Sequence, residues 1–244
     1  MKFKPSAGST LLLAALAIIF LMLARWQLDR AGEKLERERA FQAAGTRTSL
    51  SDTLNTFTRV ELYGELDRER HFLLDNRVHL GRPGVHVLTP FRTDSGTVLV
   101  NRGWLPLMDR RELPAVPTET GPLTLRGHLQ PFPAAGVQLG EADRLVTDRW
   151  PQLVTYPNQD AFGAALEVDK SGGLSTWLLY LDADSPAGFE GRDWKPYTMG
   201  PDKHRAYALQ WFALAVTAVG AWIALGIHRG GRGEGSSVSK EATP

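Results

Sequence analysis

The chain carries an uncharged apolar run near each end, and these two runs limit what it can fold into. The first, TLLLAALAIIFLMLA, covers Thr10–Ala24, and the second, YALQWFALAVTAVGAWIALGI, covers Tyr207–Ile227. A helix needs roughly 20 mostly apolar residues to cross the hydrocarbon core of a bilayer, and both runs reach or approach that length. We therefore expect two transmembrane helices, at residues 10–26 and 204–227, with a soluble domain between them.

The first run allows an alternative, because an N-terminal apolar segment is also typical of a cleaved signal peptide. Cleavage requires small residues at two fixed positions, which Met22 and Ala24 would occupy here. Methionine is too large for that role, and Trp26 lies where an interfacial anchor is expected. The sequence favours an uncleaved signal anchor.

Basic residues on the outer sides of both runs predict the orientation. They are Lys2, Lys4, Arg229, Arg232 and Lys240. Lysine and arginine concentrate on the cytoplasmic side of membrane helices, so both termini are expected in the cytoplasm. We predict a multi-pass protein of the bacterial inner membrane with a cytoplasmic N-terminus (residues 1–9), a periplasmic domain (45–203) and a disordered cytoplasmic tail (228–244).

Between the two runs, the sequence first favours a helix and then a series of strands. Residues 27–44 consist largely of helix formers with alternating charge sign, which predicts a helical extension of the first span. Short alternating segments separated by turn residues follow, as is typical of small β domains. They are RVELYGEL (59–66), HFLLDN (71–76), VHVLTPF (85–91), TVLVNRGW (97–104), PLTLRGHLQPF (122–132) and STWLLYLDAD (175–184).

Local signals also predict two turns and a helix in this region. We expect a type II turn at Pro83-Gly84 and a hairpin closed by Asp94-Ser95-Gly96. Asn158 is expected to cap a short helix over residues 158–166. The predicted fold is a membrane protein in which two transmembrane helices flank a mainly β (α+β) periplasmic domain, a small barrel or sandwich.

Composition and motifs exclude several classes of function. The 244 residues include no cysteine, which excludes disulfides, zinc–thiolate sites, iron–sulfur clusters and covalently attached c-type haem. The formal net charge of +1 creates no global field for nucleic acid, so no nucleic-acid partner is expected. The sequence contains neither a phosphate-binding glycine loop nor a nucleophile elbow, so we do not expect an enzyme.

Two features of the β region are candidate sites, and each has a structural alternative. In NRGWLP (Asn101–Pro106), Arg102 could meet a carboxylate such as a haem propionate. Alternatively, Arg102 pairs with an acidic neighbour while Trp104 packs in the core, and this interpretation is slightly favoured. His79 and His86 could approach each other across a turn and bind a metal, but histidines without a ligand are the more common case.

A third candidate lies at the start of the second apolar run. His204 is followed on one helical face by Tyr207 and Trp211, at spacings of three and seven residues, and is flanked by Lys203 and Arg205. These cations are typical of side chains that snorkel to a membrane surface. The aligned aromatic residues instead favour a neutral imidazole that serves as an axial ligand to haem iron.

Four segments together resemble the surfeit locus family of cytochrome c oxidase assembly factors, especially its proteobacterial members. They are LARWQLDRAGEK (23–34), GRPGVHVLTPF (81–91), TVLVNRGWLP (97–106) and PDKHRAYALQWFALA (201–215). Each segment alone is modest, but four in the right order are specific, and the resemblance covers nearly the whole ordered chain.

The resemblance implies assembly rather than catalysis. It implies an assembly factor for haem-copper cytochrome c oxidase that assists delivery or insertion of haem a into the catalytic subunit. His204 then corresponds to the family's candidate haem ligand, whereas the family establishes no role for Arg102 or Trp104. Helical spacing predicts Tyr207 and Trp211 as further cofactor contacts, and the NRGWLP motif predicts Arg102. The expected partners are the oxidase catalytic subunit, haem a synthase and the lipid bilayer. The alternative is a non-haem membrane scaffold that stabilises an oxidase assembly intermediate.

Overall fold

The computed structural model describes residues 3–50, 54–132, 143–168, 173–197 and 199–232. In chain order the elements are α1 (Ala7–Ala43), β1 (Thr46–Arg47), β2 (Arg59–Leu66), β3 (Phe72–His79), β4 (Arg82–Thr93), β5 (Gly96–Pro106), β6 (Leu123–Pro131), β7 (Gln152–Val154), α2 (Gln159–Ala165), β8 (Leu174–Leu181) and α3 (Pro201–Arg232). The chain divides into two compact units, one formed by Met1–Arg39 with Pro196–Pro244 and the other by Ala40–Lys195.

The helical unit contains both apolar runs. Each run lies in a helix that is long and apolar enough to cross a membrane. α1 continues from the first run through the charged residues that follow it, as their helix-forming composition predicted. α3 begins at Pro201, which suits a first helical position because proline lacks the N–H that the first turn leaves unused. It ends at Arg232, and the rest of the predicted tail lies outside the described residues.

The two long helices pack antiparallel along a seam with coiled-coil spacing. The buried and half-buried residues of α3 recur at intervals of four and three: His204, Ala208, Trp211, Ala215, Ala218 and Trp222. Such a repeat keeps one stripe of a helix facing its partner. The rings of Phe20 and Trp211 stack with centroids 5.8 Å apart, and Trp222 Nε1 donates to Thr10 Oγ1 at 2.9 Å. The alanines in this stripe allow close approach of the two backbones.

The second unit is a small β barrel, as the alternating segments predicted. Its strands follow the order β1-β2-β6-β8-β5-β4-β3-β7, and an additional β2–β4 pairing closes β2, β6, β8, β5 and β4 into a ring. The closing contact pairs Glu65 with Arg92 and Leu66 with Phe91. The inward side chains form the core, because successive residues of a strand point to opposite faces. Fully buried core members include Val60, Leu62, Phe91, Val98, Val100, Leu125, Leu129 and Leu179.

The β3–β4 hairpin differs from the prediction. A type II turn at Pro83-Gly84 is wrong, because both residues pair with β3 inside β4. The turn instead consists of Leu80 and Gly81, whose φ angles are 49° and 77°. Positive φ at both central positions is typical of a type I′ hairpin, whose twist matches that of the flanking strands.

The other local predictions are confirmed. Thr93 pairs with Gly96, so the Asp94-Ser95-Gly96 segment closes the β4–β5 hairpin. Asn158 caps α2, and its side chain accepts a hydrogen bond of 3.0 Å from the Ala161 N–H. The β4–β5 pairing also places the histidine of GRPGVHV opposite the tryptophan of NRGWLP, so the two sequence motifs become neighbours.

Candidate functional site

The NRGWLP motif forms the end of β5, one of the central strands of the barrel. Trp104 is 1% exposed, and its Nε1 donates to the backbone carbonyl of Arg77 at 3.1 Å. Gly103 has a φ of 111°, and a Cβ there would lie 2.5 Å from the carbonyl oxygen of Glu190. The glycine therefore permits the bridge between Trp104 and Glu190, in which the Trp104 N–H donates to the Glu190 carbonyl at 2.7 Å.

Arg102 is also 1% exposed, and protein groups surround its guanidinium. The acceptors are the Ala187 carbonyl at 2.6 Å, Thr118 Oγ1 at 2.8 Å, the Pro117 carbonyl at 2.9 Å and Glu119 Oε2 at 3.3 Å. Burial lowers the pKa of Arg102 to about 10, partly offset by Glu119, so the group stays charged at neutral pH. This geometry agrees with the structural alternative for the motif, and a propionate contact at Arg102 stays a prediction.

His79 and His86, which could have formed a metal site across a turn, pack against different tryptophans. His79 packs against the Trp104 ring with centroids 5.5 Å apart, while His86 packs edge-on against Trp194 at 5.3 Å. The Asn101 amide lies 3.4 Å from His86 Nδ1. Within the described ranges, no group of three or more His, Cys, Asp or Glu side chains is placed to hold a metal ion.

Burial keeps two histidines of the β domain neutral. His71 Nε2–H donates to the Arg68 carbonyl at 3.2 Å, so Nδ1 accepts from the Thr89 hydroxyl at 3.0 Å. Burial lowers the pKa of His71 to about 4, although the bond to Arg68 opposes the shift. Burial also lowers the pKa of His86 to about 4, and the neighbouring positive charges add to that shift.

The β domain is therefore expected to lose stability as the pH falls from about 6.5 towards 4. In that window the unfolded chain protonates these histidines at their ordinary pKa of 6.5, whereas the folded chain does so only near 4. Each histidine can lower the free energy of unfolding by up to roughly 3 kcal/mol. Urea unfolding of the full chain at several pH values measures the slope, and His71→Gln should reduce it. A free energy of unfolding that rises on acidification would contradict this expectation.

His204 lies in the seam of the helix pair, where it contacts Gln27. The residue is 9% exposed, and its Nδ1 lies 2.8 Å from Gln27 Oε1. An amide oxygen only accepts, so Nδ1 carries a proton, and in the neutral form of the ring Nε2 is the nitrogen with the free lone pair. A hydrogen bond of this kind on one ring nitrogen is the usual support for a histidine that binds metal through the other.

The predicted aromatic neighbours of His204 divide between two environments. Trp211 is half-buried and stacks on Phe20 in the seam. Tyr207 lies outside the seam and is 46% exposed. Arg205 is exposed, as expected for an interfacial cation, and pairs with Asp202 at 3.1 Å.

Sequence reasoning missed Gln27, although a signal for it was present. Gln27 belongs to the LARWQLDRAGEK segment and lies three residues after the buried Ala24 and seven after Phe20. That spacing places it on the stripe of α1 that faces α3, where an amide needs a polar partner. If the first helix had been treated as one half of a packed helix pair, a polar partner for Gln27 could have been predicted on the second helix.

The sequence comparison now gives the family. The model of the SURF1 family matches residues 14–216, a range that includes the whole β barrel, Gln27 and His204. A comparison with curated proteins gives no match. The SURF1 family is generally associated with cytochrome oxidase assembly and is a family of assembly factors. Because the match covers well over half of the residues, this chain belongs to the SURF1 family.

Proposed function

We propose that this protein assists delivery or insertion of haem a into the catalytic subunit of a haem-copper cytochrome c oxidase. Family membership supports a role in oxidase assembly. The observation that carries the haem part of the proposal is the hydrogen bond between Gln27 and His204. In this proposal His204 binds the iron of haem a in transit, and haem a is cargo rather than a permanent cofactor.

The side chains around His204 suit a haem that must later be released. The haem iron supplies an open coordination position for an imidazole nitrogen. Gln27 holds the ring in the tautomer that presents Nε2, while Trp211 and the exposed Tyr207 offer aromatic surface to an apolar macrocycle. The chain has no cysteine for a thioether link, so binding through His204 would be reversible.

The proposal includes a location and partners. Both long helices cross the bacterial inner membrane, and the β barrel lies in the periplasm. The length and hydropathy of the helices support the membrane assignment, and the basic residues outside the apolar runs support the orientation. The proposed partners are the oxidase catalytic subunit and haem a synthase.

The geometry also supports the alternative of a non-haem scaffold. Gln27 and His204 form a polar pair within a mostly apolar seam, which towards its other end also contains the hydrogen bond from Trp222 to Thr10. Polar contacts at fixed positions in such a seam set the register of two helices. In this alternative the helix pair is a preformed surface that holds an oxidase assembly intermediate, and His204 serves the pairing of α1 with α3.

The two functions predict different haem contents for variants of His204. The full chain, purified in detergent from cells that make haem a, should carry haem with a Soret band. His204→Ala should lose most of this haem, whereas His228→Ala, an exposed histidine near the other end of α3, should keep it. Gln27→Leu should lower haem affinity by about tenfold, because partners that orient a metal-binding histidine usually contribute that much. The haem-to-protein ratio and the Soret position measure both effects.

Two results would decide against the haem proposal. If His204→Ala and His228→Ala carry equal haem with the same Soret band, His204 is not the ligand. If the unmodified protein carries no haem but co-purifies with the oxidase catalytic subunit, the scaffold function is supported instead. In that case Gln27→Leu should weaken co-purification, because it removes the polar layer of the helix pair.

A further inference from the structure

One face of the barrel sheet collects polar and aromatic side chains that the proposed function does not use. We name it the Arg77 face and define it by Arg77, His86, Asn101, Trp104 and Tyr180. The strand pairing brings them together, because Arg77 pairs with Gly84, His86 with Trp104, and Asn101 with Tyr180. Both conspicuous motifs, GRPGVHV and NRGW, contribute to this face.

The Trp194 side chain covers part of the Arg77 face. Its ring packs edge-on against His86 at 5.3 Å and against Tyr180 at 4.8 Å. Its Nε1 donates to the Leu181 carbonyl at 2.6 Å, which fixes the ring in place. His86, Tyr180 and Trp194 are each only partly buried, so the edge of this face can be reached from solvent.

Arg77 is the unusual member of this face, because the half-buried side chain has one donor without a partner. Its Nε is buried and has no hydrogen-bond partner. The nearby carboxylates are engaged elsewhere, Asp75 with Arg110 at 2.7 Å and Glu190 with Arg82 at 3.0 Å. Among the residues that the structure describes, no acidic side chain pairs with Arg77. Leaving a buried N–H donor unpaired costs free energy, so a ligand that supplies an acceptor to Arg77 Nε would remove that cost.

Two other arginines of the same domain, the half-buried Arg192 and the buried Arg102, show what a structural role requires. The Arg192 guanidinium donates to the carbonyls of Phe189, Asp182 and Ser185 at 2.7–2.8 Å. Arg102 has four protein acceptors, as described above. Arg77 differs from both because its buried Nε has no acceptor among the described residues, so it retains a donor that a ligand can use.

The neighbours of Arg77 are neutral hydrogen-bonding groups at pH 7. The Asn101 amide donates to His86 Nδ1, so the ring carries its proton on Nε2, which remains a donor. The low pKa of His86 keeps that ring uncharged, and burial raises the pKa of Tyr180, which keeps its hydroxyl protonated. The single positive charge of Arg77 beside these neutral donors is complementary to a ligand group that carries one negative charge.

We propose that the Arg77 face binds a carboxylate carried on an apolar body. The flat guanidinium fork matches the two oxygens of a carboxylate, and the partly exposed rings of Trp194 and Tyr180 can pack against apolar atoms next to that group. A doubly charged phosphate would call for a second cation, whereas the nearby Arg82 is already paired with Glu190. This inference does not depend on His204 as a haem ligand, because it concerns a different group in the other unit.

Butyrate and its neutral isostere butyramide test this proposal in the full chain. With arginine labelled in ¹⁵N, the Arg77 Nε–H signal is assigned by its loss in Arg77→Lys. Butyrate should shift the signal saturably, whereas butyramide at the same concentration should not. Arg77→Gln should abolish butyrate binding measured by calorimetry, and Arg77→Lys should weaken it several-fold. Arg126→Gln is the matched control, because Arg126 is exposed and lies 4.0 Å from its nearest acidic partner, Asp184.

Competition experiments identify which kind of molecule carries the carboxylate. Competition with butyrate by haem, but not by haem dimethyl ester, would identify a propionate as the occupant. Butyrate binding that haem does not displace would identify an aliphatic carboxylate. Equal shifts with butyrate and butyramide would overturn the proposal, as would full butyrate affinity in Arg77→Gln. If Arg77→Gln fails to fold, the difference between butyrate and butyramide on the unmodified chain still tests whether the Arg77 face binds a carboxylate.

Discussion

Replacing Trp104 with alanine is expected to lower the free energy of unfolding of the β barrel by about 4 kcal/mol. Removing a fully buried aromatic side chain costs roughly 3–5 kcal/mol, because the surrounding residues relax only partly into the space. The ring also rests on Gly84, where a Cβ would lie 2.4 Å from it, so no neighbouring side chain can refill that side. Urea unfolding of the full chain, followed by its β-sheet circular dichroism, measures the loss.

Two further variants separate packing from hydrogen bonding at this site. Trp104→Phe keeps an aromatic ring but leaves the Arg77 carbonyl without its donor, which should cost about 1–2 kcal/mol beyond the change in volume. Tyr63→Ala is the control, because Tyr63 is an aromatic residue of β2 that is 64% exposed. Its effect should stay within about 0.5 kcal/mol. A Trp104→Ala effect as small as that of Tyr63→Ala would show that Trp104 is not part of the core.

The elements of the fold that are local in sequence could be predicted from it. The segment RVELYGEL corresponds to β2 residue for residue, because its alternation is set by one buried and one exposed face. Asn158 was recognisable as a helix cap because its side chain bonds only three residues ahead. The two apolar runs were evident because length and hydropathy suffice to identify them.

Pairings between distant segments could not be predicted in the same way. Closure of the barrel depends on two residue pairs between β2 and β4, and the parallel pairing of β5 with β8 joins strands far apart in the chain. Neither of these two pairings produces a pattern in the sequence of a single strand. The turn at Leu80-Gly81 was missed for two reasons. Pro83-Gly84 carries the stronger local turn signal, but strand pairing holds both residues in β4. Leucine also rarely adopts a positive φ, so Leu80 gave no turn signal of its own.

The candidate sites show the same division. His204 was recognisable because a titratable group at the end of an apolar run is unusual. Its partner Gln27 lies 177 positions away, so the tautomer of His204 could be known only from the structure. The motif around Arg102 suggested either a ligand or a neighbour. Three of the four hydrogen-bond acceptors of Arg102 lie in the loop before β6, and the fourth is the Ala187 carbonyl. These segments have no periodic sequence pattern from which the contacts could be predicted.

Arg102 gives the second large effect, and it tests the interpretation of the motif directly. Arg102→Ala is expected to destabilise the barrel by about 3–5 kcal/mol, because it leaves buried carbonyl acceptors unpaired and removes a large buried side chain. The carbonyls of Pro117 and Ala187 would lose their donors, and the loop before β6 would lose its attachment to the segment after β8. Urea unfolding of the full chain measures the loss on the same scale as that of Trp104→Ala.

Two matched variants show which part of Arg102 matters. Arg102→Lys keeps the charge but cannot reach acceptors on several sides at once, so it should recover only part of the stability. Glu119→Gln should cost less than about 1 kcal/mol, because Glu119 is half-exposed and its ion pair is screened by solvent. If Arg102→Ala instead unfolds like the unmodified chain, the guanidinium does not hold the loops together. A ligand carboxylate at Arg102 would then become the better explanation of the motif, and a loss of bound haem in that stable variant would identify the ligand.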